Sequence, residues 1–314
     1  LEGIRVLDLS RLIPGGVCTA LLADLGAEVI KVEATRVGDY ERQIPPFIGK
    51  MASRFLLLNR NKKSFSVDLK HALGKKAFLD LARSADVMLE SFRPGAMAKL
   101  GLDHESLKEI NPGLVYCSIS SFGQDGPDRD VVAHDINILA LTGILDITGD
   151  GESGPTLAGI QIVDSATGNA ATLGIMAALM ARAKDGKGQM VDISMYDCAL
   201  AWIFDAARYV FAEDELPGRG QGRLWGGLPN YRVYRTKDGK YLAIGSLEAK
   251  FKKALAAKLG RDQSGGDSQA ATTTVVDQAA RDEAKAWQEL FATRTRKEWL
   301  DELAALNICV SPVL

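Results

Sequence analysis

Ile4-Arg5-Val6-Leu7-Asp8-Leu9 and Glu28-Val29-Ile30-Lys31-Val32-Glu33, with the small apolar run at 18–25 between them, decide the fold. The two outer stretches have the β-branched, apolar character of strands. The run between them reads as a helix of small residues, and Gly26 suits its C-terminal cap. Strand, helix, strand in this order is a β-α-β unit, which implies a parallel sheet.

Working outward, residues 69–84 are amphipathic, and Asp86-Val87-Met88-Leu89-Glu90 and Leu114-Val115-Tyr116-Cys117-Ser118-Ile119 read as further strands. The first 120 residues therefore look like an open α/β sheet. Helices are expected at 134–144 and 164–183, separated by the loop Gly149-Asp150-Gly151-Glu152-Ser153-Gly154-Pro155. A strand at 189–194 and a helix at 195–212 complete a large domain, residues 1–215. Residues 217–230 hold five glycines and two prolines, so 216–230 reads as a linker. Beyond it, 231–236 and 240–245 pair across the turn Lys237-Asp238-Gly239-Lys240. With helices at 248–259, 279–293 and 297–303, residues 231–314 form a smaller α+β domain. The polar stretch 262–274 reads as a mobile loop.

The chain has 314 residues, 46% hydrophobic, enough for a large core and more than one domain. A net charge of −2 and a pI of about 6.0 point away from nucleic acid and from membrane surfaces. No apolar run reaches the roughly 18–20 residues of a membrane span. Cys18, Cys117, Cys198 and Cys309 lie far apart, and there are three histidines, so neither a zinc site nor a disulfide framework is expected. The pattern fits a reduced, cytoplasmic enzyme (peroxisomal or mitochondrial in a eukaryote). The chain opens on a strand without Met and stops in Val310-Ser311-Pro312-Val313-Leu314, so the protein is expected to continue, above all at the C-terminus. Gly15-Gly16 after Pro14 does not supply G-x-G-x-x-G; the pair reads as a turn, and no NAD site is expected.

His134, in Ala133-His134-Asp135-Ile136-Asn137, and Asp164, in Ile162-Val163-Asp164-Ser165, are the candidate acid–base pair. An imidazole and a carboxylate on opposite sides of one carbon can take a proton from one face and return it to the other. Spacing alone leaves plainer readings open: His134 as a satisfied interior histidine and Asp164 as a helix N-cap. The N-cap reading is compatible with catalysis, because a carboxylate at a helix start stays ionised near neutral pH. Asp135 suits the N-cap of its own helix, whose positive end would hold His134 neutral.

The chain resembles class III CoA-transferases of the CaiB/BaiF type, the family that includes formyl-CoA transferase, carnitine CoA-transferase and α-methylacyl-CoA racemase. The landmarks include Leu22-Ala23-Asp24-Leu25-Gly26-Ala27-Glu28-Val29-Ile30-Lys31-Val32-Glu33, Asn59-Arg60-Asn61-Lys62-Lys63-Ser64 and Phe92-Arg93-Pro94-Gly95. Asn111-Pro112-Gly113-Leu114-Val115-Tyr116, Ser121-Phe122-Gly123-Gln124-Asp125-Gly126-Pro127, Gly186-Lys187-Gly188-Gln189 and Tyr234-Arg235-Thr236-Lys237-Asp238-Gly239 extend them over nearly the whole chain. The resemblance implies acyl-CoA thioester substrates, a Rossmann-like large domain with a small one, and an interlocked homodimer.

Within the family, the racemases carry G-H-D-I-N-Y where this chain has Ala133-His134-Asp135-Ile136-Asn137-Ile138. Their catalytic pair maps onto His134 and Asp164, and their supporting glutamate onto Glu248. The resemblance thus implies a racemase of 2-methylacyl-CoA thioesters working through an enolate. The alternative is an acyl-CoA:carboxylate CoA-transferase, in which Asp164 is a covalent nucleophile. Ala133 for Gly and Ile138 for Tyr depart from the racemase pattern and bear on the acyl pocket, for which Ile138, Leu141 and Leu145 are candidates. The backbone N–H groups of Asp135 or Asp164 are candidate donors to the enolate oxygen.

No metal or redox cofactor is expected, since the CoA is part of the substrate. Its phosphates need cations, for which Arg36, Arg60, Lys62, Lys63, Arg93 and Lys99 are candidates; a solvated basic face is the plainer reading of each. Arg36 is the candidate to replace an arginine that the human-type racemase carries where this chain has Ala34. Family CoA-binding segments align with Val67-Asp68-Leu69-Lys70, with Glu90, Phe92 and Arg93, and with residues 133–138, which bring in Ala133, Asp135, Ile136, Asn137 and Ile138.

Overall fold

The computed structural model describes residues 1–260, 276 and 278–314. The loop expected at 262–274 lies outside the described residues. The described chain falls into two compact units, Leu1–Thr142 with Gly159–Ile203 and Gly143–Ala158 with Phe204–Leu314.

The first unit runs β1 (Arg5–Asp8), α1 (Leu12–Asp24), β2 (Glu28–Glu33), a hairpin of β3 (Phe47–Ile48) and β4 (Met51–Ala52), then α2 (Ser53–Leu58) and β5 (Lys62–Ser66). It continues through α3 (Ala72–Ala82), β6 (Val87–Glu90), α4 (Ala96–Leu100), α5 (His104–Lys108), β7 (Val115–Ser120) and α6 (Asp135–Leu141). After α7 (Ile144–Ile147), which belongs to the second unit, α8 (Ile162–Asp185), β8 (Met190–Ser194) and α9 (Met195–Leu200) complete it.

Its six strands form a sheet in the order β5-β2-β1-β6-β7-β8, and every pairing is parallel. Counted along the sheet strands this is 3-2-1-4-5-6, the doubly wound order, with its switch point between β1 and β6. The strands run through the interior, and side chains alternate between two covered faces. Leu7, Leu9, Met88 and Tyr116 pack with Phe78 of α3, Met97 of α4 and Leu107 of α5. On the other face lie α1 and α8, packed on each other along much of their length. The open parallel α/β sheet expected from the first β-α-β unit is the fold observed.

Two local expectations are corrected. Gly15-Gly16 is not a turn but lies in the opening of α1. A Cβ on Gly15 would stand 2.1 Å from the Ser10 Cβ, and one on Gly16 3.3 Å from Leu58. The glycines are there for close packing. Secondly, although no unbroken apolar run reaches membrane-span length, α8 is, by length and composition, long and apolar enough to cross a membrane. Half of its apolar window is buried within the protein, against α1, β7 and β8, so it is a core helix.

The second unit adds α10 (Phe204–Glu213), β9 (Tyr231–Arg235), β10 (Tyr241–Gly245), α11 (Ala249–Lys258), α12 (Gln278–Phe291), α13 (Arg296–Leu303) and β11 (Val310–Pro312). Its antiparallel sheet, β11-β10-β9, carries Tyr234, Leu242 and Ile244 into a core with Leu255, Trp287, Phe291 and Trp299. Gly239, at φ +73, closes the expected β9–β10 turn. The stretch read as a linker packs into this unit: Asn230 is buried and donates to Ser246 O at 2.7 Å, and Trp225 meets Tyr209 edge-on.

Candidate active site

His134 has extended backbone (φ −110, ψ 174) and is itself the N-cap of α6. Its backbone N–H donates to Asn137 Oδ1 at 3.0 Å, while Asn137 N–H donates back to His134 O at 2.9 Å. The side chain is exposed, which removes the reading of His134 as an interior histidine. Asp135, expected as the N-cap, is instead the first helical residue. This frees its carboxylate to reach across to α8, where Oδ1 accepts the N–H groups of Val163 at 2.8 Å and Asp164 at 3.1 Å. Two otherwise unpaired first-turn donors are satisfied by a residue 28 positions upstream.

Asp164 is therefore not the N-cap of α8. It is the third helical residue, after Ile162 and Val163, and its carboxylate carries no capping duty. It is half-buried, and burial pushes its pKa up to about 6. Repulsion from Asp135 adds to the rise, and attraction to His134 and Arg54 opposes it. Near neutral pH it is mostly a carboxylate, as expected, but its pKa is raised rather than lowered and the acid form is within reach. The N–H of Asp164 is spent on Asp135, so of the two candidate oxyanion donors only the Asp135 N–H, at the start of α6, stays in contention.

One turn past Asp164, Gly168 is buried against α1. A Cβ there would stand 2.7 Å from both Pro14 O and Val17 Cβ. Asp164 and Gly168, four apart, share a helix face, so Asp164 sits over the N-terminal end of α1. Glu248 lies in the second unit, exposed, at the N-cap of α11.

The CoA candidates divide sharply. Lys62 is buried and donates to Asp8 Oδ2 at 3.0 Å, Thr19 Oγ1 at 2.6 Å and Asn59 Oδ1 at 3.1 Å. Asp8 also accepts from Ser10 and Thr19, and Lys31 joins Asp8 to Asp39. Lys62 is thus part of a buried ionic network and no phosphate ligand. Arg60 is tied to Asp24, Lys63 pairs with Glu28 at 2.5 Å, and fully buried Ile138 is core rather than pocket wall. Leu141 is exposed, and Leu145 belongs to the second unit.

Arg36, Asp68, Lys70, Arg93 and Lys99 are exposed. Val67 is buried, and partly buried Leu69 packs against the core. In the 133–138 segment, Ala133 holds Ser121 through both backbone groups, and Ile136 and Asn137 are exposed. Phe92 carries Arg11 over its ring at 5.1 Å. Glu90 is buried, hydrogen-bonded by Ser118 and by the Phe92 N–H, and burial pushes its pKa up to about 7. With Arg93, Met97, His104, Tyr116 and Arg129 it lines a cavity of about 230 Å³. Sequence reasoning missed Arg54, and no local pattern distinguishes it; its partners are distant in the chain.

The doubly wound sheet thus carries an imidazole and a carboxylate at the starts of two adjoining helices, α6 and α8. The CoA-transferase family III profile matches residues 1–314, and the chain belongs to that family. It is 35% identical to human α-methylacyl-CoA racemase over 100% of this chain and 78% of that protein. It is 39% identical to the succinyl-CoA:glutarate CoA-transferase of Mus musculus over 78% of this chain, spanning 56% of that protein's length. Among solved structures, a CAIB/BAIF family protein from Brucella suis superposes with a TM-score of 0.83 at 33% identity, covering 100% of this chain and 83% of that one. Relatives thus include both racemases and transferases.

Proposed function

We propose that this protein interconverts the enantiomers of 2-methylacyl-CoA thioesters. The observation that carries the reading is the exposed His134 facing the same electrostatic neighbourhood as Asp164, the two helix starts being tied by Asp135. Neutral His134 takes the α-proton of one enantiomer, the electron pair moves into the thioester as an enolate, and protonated Asp164 returns a proton to the opposite face. The reverse direction starts from ionised Asp164 and protonated His134. A carboxyl near pKa 6 suits both halves, because acid–base groups work best close to the operating pH. The Asp135 N–H serves the enolate oxygen, and Arg36, Arg93 and Lys99 receive CoA phosphates. CoA arrives as part of the substrate, and no further cofactor takes part.

Support for a second reading, CoA transfer to a carboxylic acid, comes from the transferase relatives together with a half-buried, uncapped Asp164 free to attack a thioester. There the carboxylate oxygen bonds to the acyl carbon and CoA leaves as the thiolate, giving a mixed anhydride. α-Deuterium incorporation in D₂O without an acceptor acid supports the racemase; CoA movement only when an acid is added supports the transferase. The chain is further read as one subunit of a homodimer. Phe204 and Phe211 on α10 are 74% and 87% exposed, apolar surface that a second copy would cover. A monomeric mass in sedimentation would refute this.

A further inference from the structure

We propose that Arg54 is a positioning residue for Asp164: held side-on by buried Glu41, its guanidinium is the fixed positive charge beside the reacting carboxylate. This rests on the reading above only in taking Asp164 as the reacting group, which both reactions share.

The geometry comes from three helices meeting. Arg54 and Leu58 lie four apart on one face of α2, and Leu58 packs on Gly16 near the N-terminal end of α1. Asp164 and Gly168 share the face of α8 that packs on Pro14 and Val17, at the same end of α1. Arg54 and Asp164 therefore each lie one helical turn from a residue packed on that end of α1. They form no direct ion pair, and the Arg54 charge opposes the rise that burial and Asp135 impose on the Asp164 pKa.

The guanidinium is fixed in place. Its Nε and Nη2 donate to the two Glu41 oxygens at 2.7 and 2.9 Å, the bidentate arrangement that locks a planar fork. Glu41 is buried, and its N–H donates to Asp39 Oδ1 at 2.9 Å. Asp39 in turn pairs with Lys31 at 2.9 Å, in the network around Asp8. The buried charges of the sheet edge thus brace Arg54.

The charged groups facing Asp164 are Asp135 and His134 at the start of α6 and Arg54 on α2. The ionisable carboxylate of α1, Asp24, is at its far end and tied to Arg60, while Asp197 on α9 acts on Asp192 and Cys198. The charge of His134 vanishes when the ring gives up its proton. That of Arg54 does not, at any pH the protein meets. Arg54 is the charge that persists while His134 is neutral.

The test is a carboxyl titration. Protein labelled with ¹³C at aspartate carboxyls is followed by NMR, and the Asp164 signal is the one missing from Asp164→Asn. In Arg54→Gln the Asp164 midpoint should rise by about half to one pH unit, with Arg54→Lys between it and the wild type. In the direction that needs ionised Asp164, the acid limb of kcat/KM should move by the same amount, a loss of about three- to tenfold at pH values below it that closes at high pH. An unchanged midpoint in Arg54→Gln, or equal midpoints for Gln and Lys, would overturn the proposal. Titration needs no turnover. A wild-type protein that neither exchanges α-protons nor transfers CoA would remove the functional reading, and the Arg54 result would still stand or fall by itself.

Discussion

Asp135 Oδ1 accepts the backbone N–H of Asp164 at 3.1 Å, so the residue after the candidate imidazole caps the helix that carries the candidate carboxylate. One side chain thus ties together the two helix starts that carry the candidate groups. It also places a negative charge next to Asp164, and that charge is part of why the Asp164 carboxyl titrates near 6.

Asp135→Asn keeps the capping oxygen and removes the charge. In the direction that needs ionised Asp164, the acid limb of the pH–rate profile should then move to lower pH, opposite to the shift expected for Arg54→Gln. Asp135→Ala removes the cap as well and should cost about 1 kcal/mol of stability in denaturant titration, with a larger loss of kcat.

Asp164 should trade stability for function. Its folded pKa, about 6, lies above the ordinary 3.8, so the folded state holds this proton more tightly. Its contribution to stability is full below about pH 4 and lost as pH rises through 6. Asp164→Asn, which mimics the protonated form, should stabilise the protein at pH 8 by on the order of 1 kcal/mol, allowing for partial solvent screening. Thermal melts at pH 8 and pH 4 check this, and the gain should disappear at the lower value.

Lys62→Met separates a structural role from phosphate binding. Removing the cation leaves buried Asp8 short of a partner and should cost about 3 kcal/mol. CoA affinity of the folded protein, measured by calorimetry, should stay at the wild-type level, whereas Arg93→Ala should weaken it.

The sheet was legible because its strands are local. The run from Glu28 to Glu33 needs only its own β-branched residues to be read, and it appears with those bounds. The start of α1 was not, since Gly15-Gly16 looks like a turn until Ser10 and Leu58 are brought against it. The same physics hid the role of Lys62: a lysine in a polar stretch looks solvated, and its partner Asp8 is 54 residues away. His134 and Asp164 were singled out through family resemblance, whereas the capping by Asp135 and the placement of Arg54 depend on long-range packing. No local signal reports which helix start a carboxylate will reach.

The most direct test of His134 and Asp164 as a two-base pair is α-deuterium incorporation into each enantiomer of a 2-methylacyl-CoA in D₂O, with no acceptor acid, by wild type, His134→Ala and Asp164→Ala. The expected result is exchange from both enantiomers by the wild type and a loss of at least about 10²-fold in each variant. Near-normal exchange by His134→Ala would contradict it, as would a wild type that moves CoA to added acids and exchanges nothing.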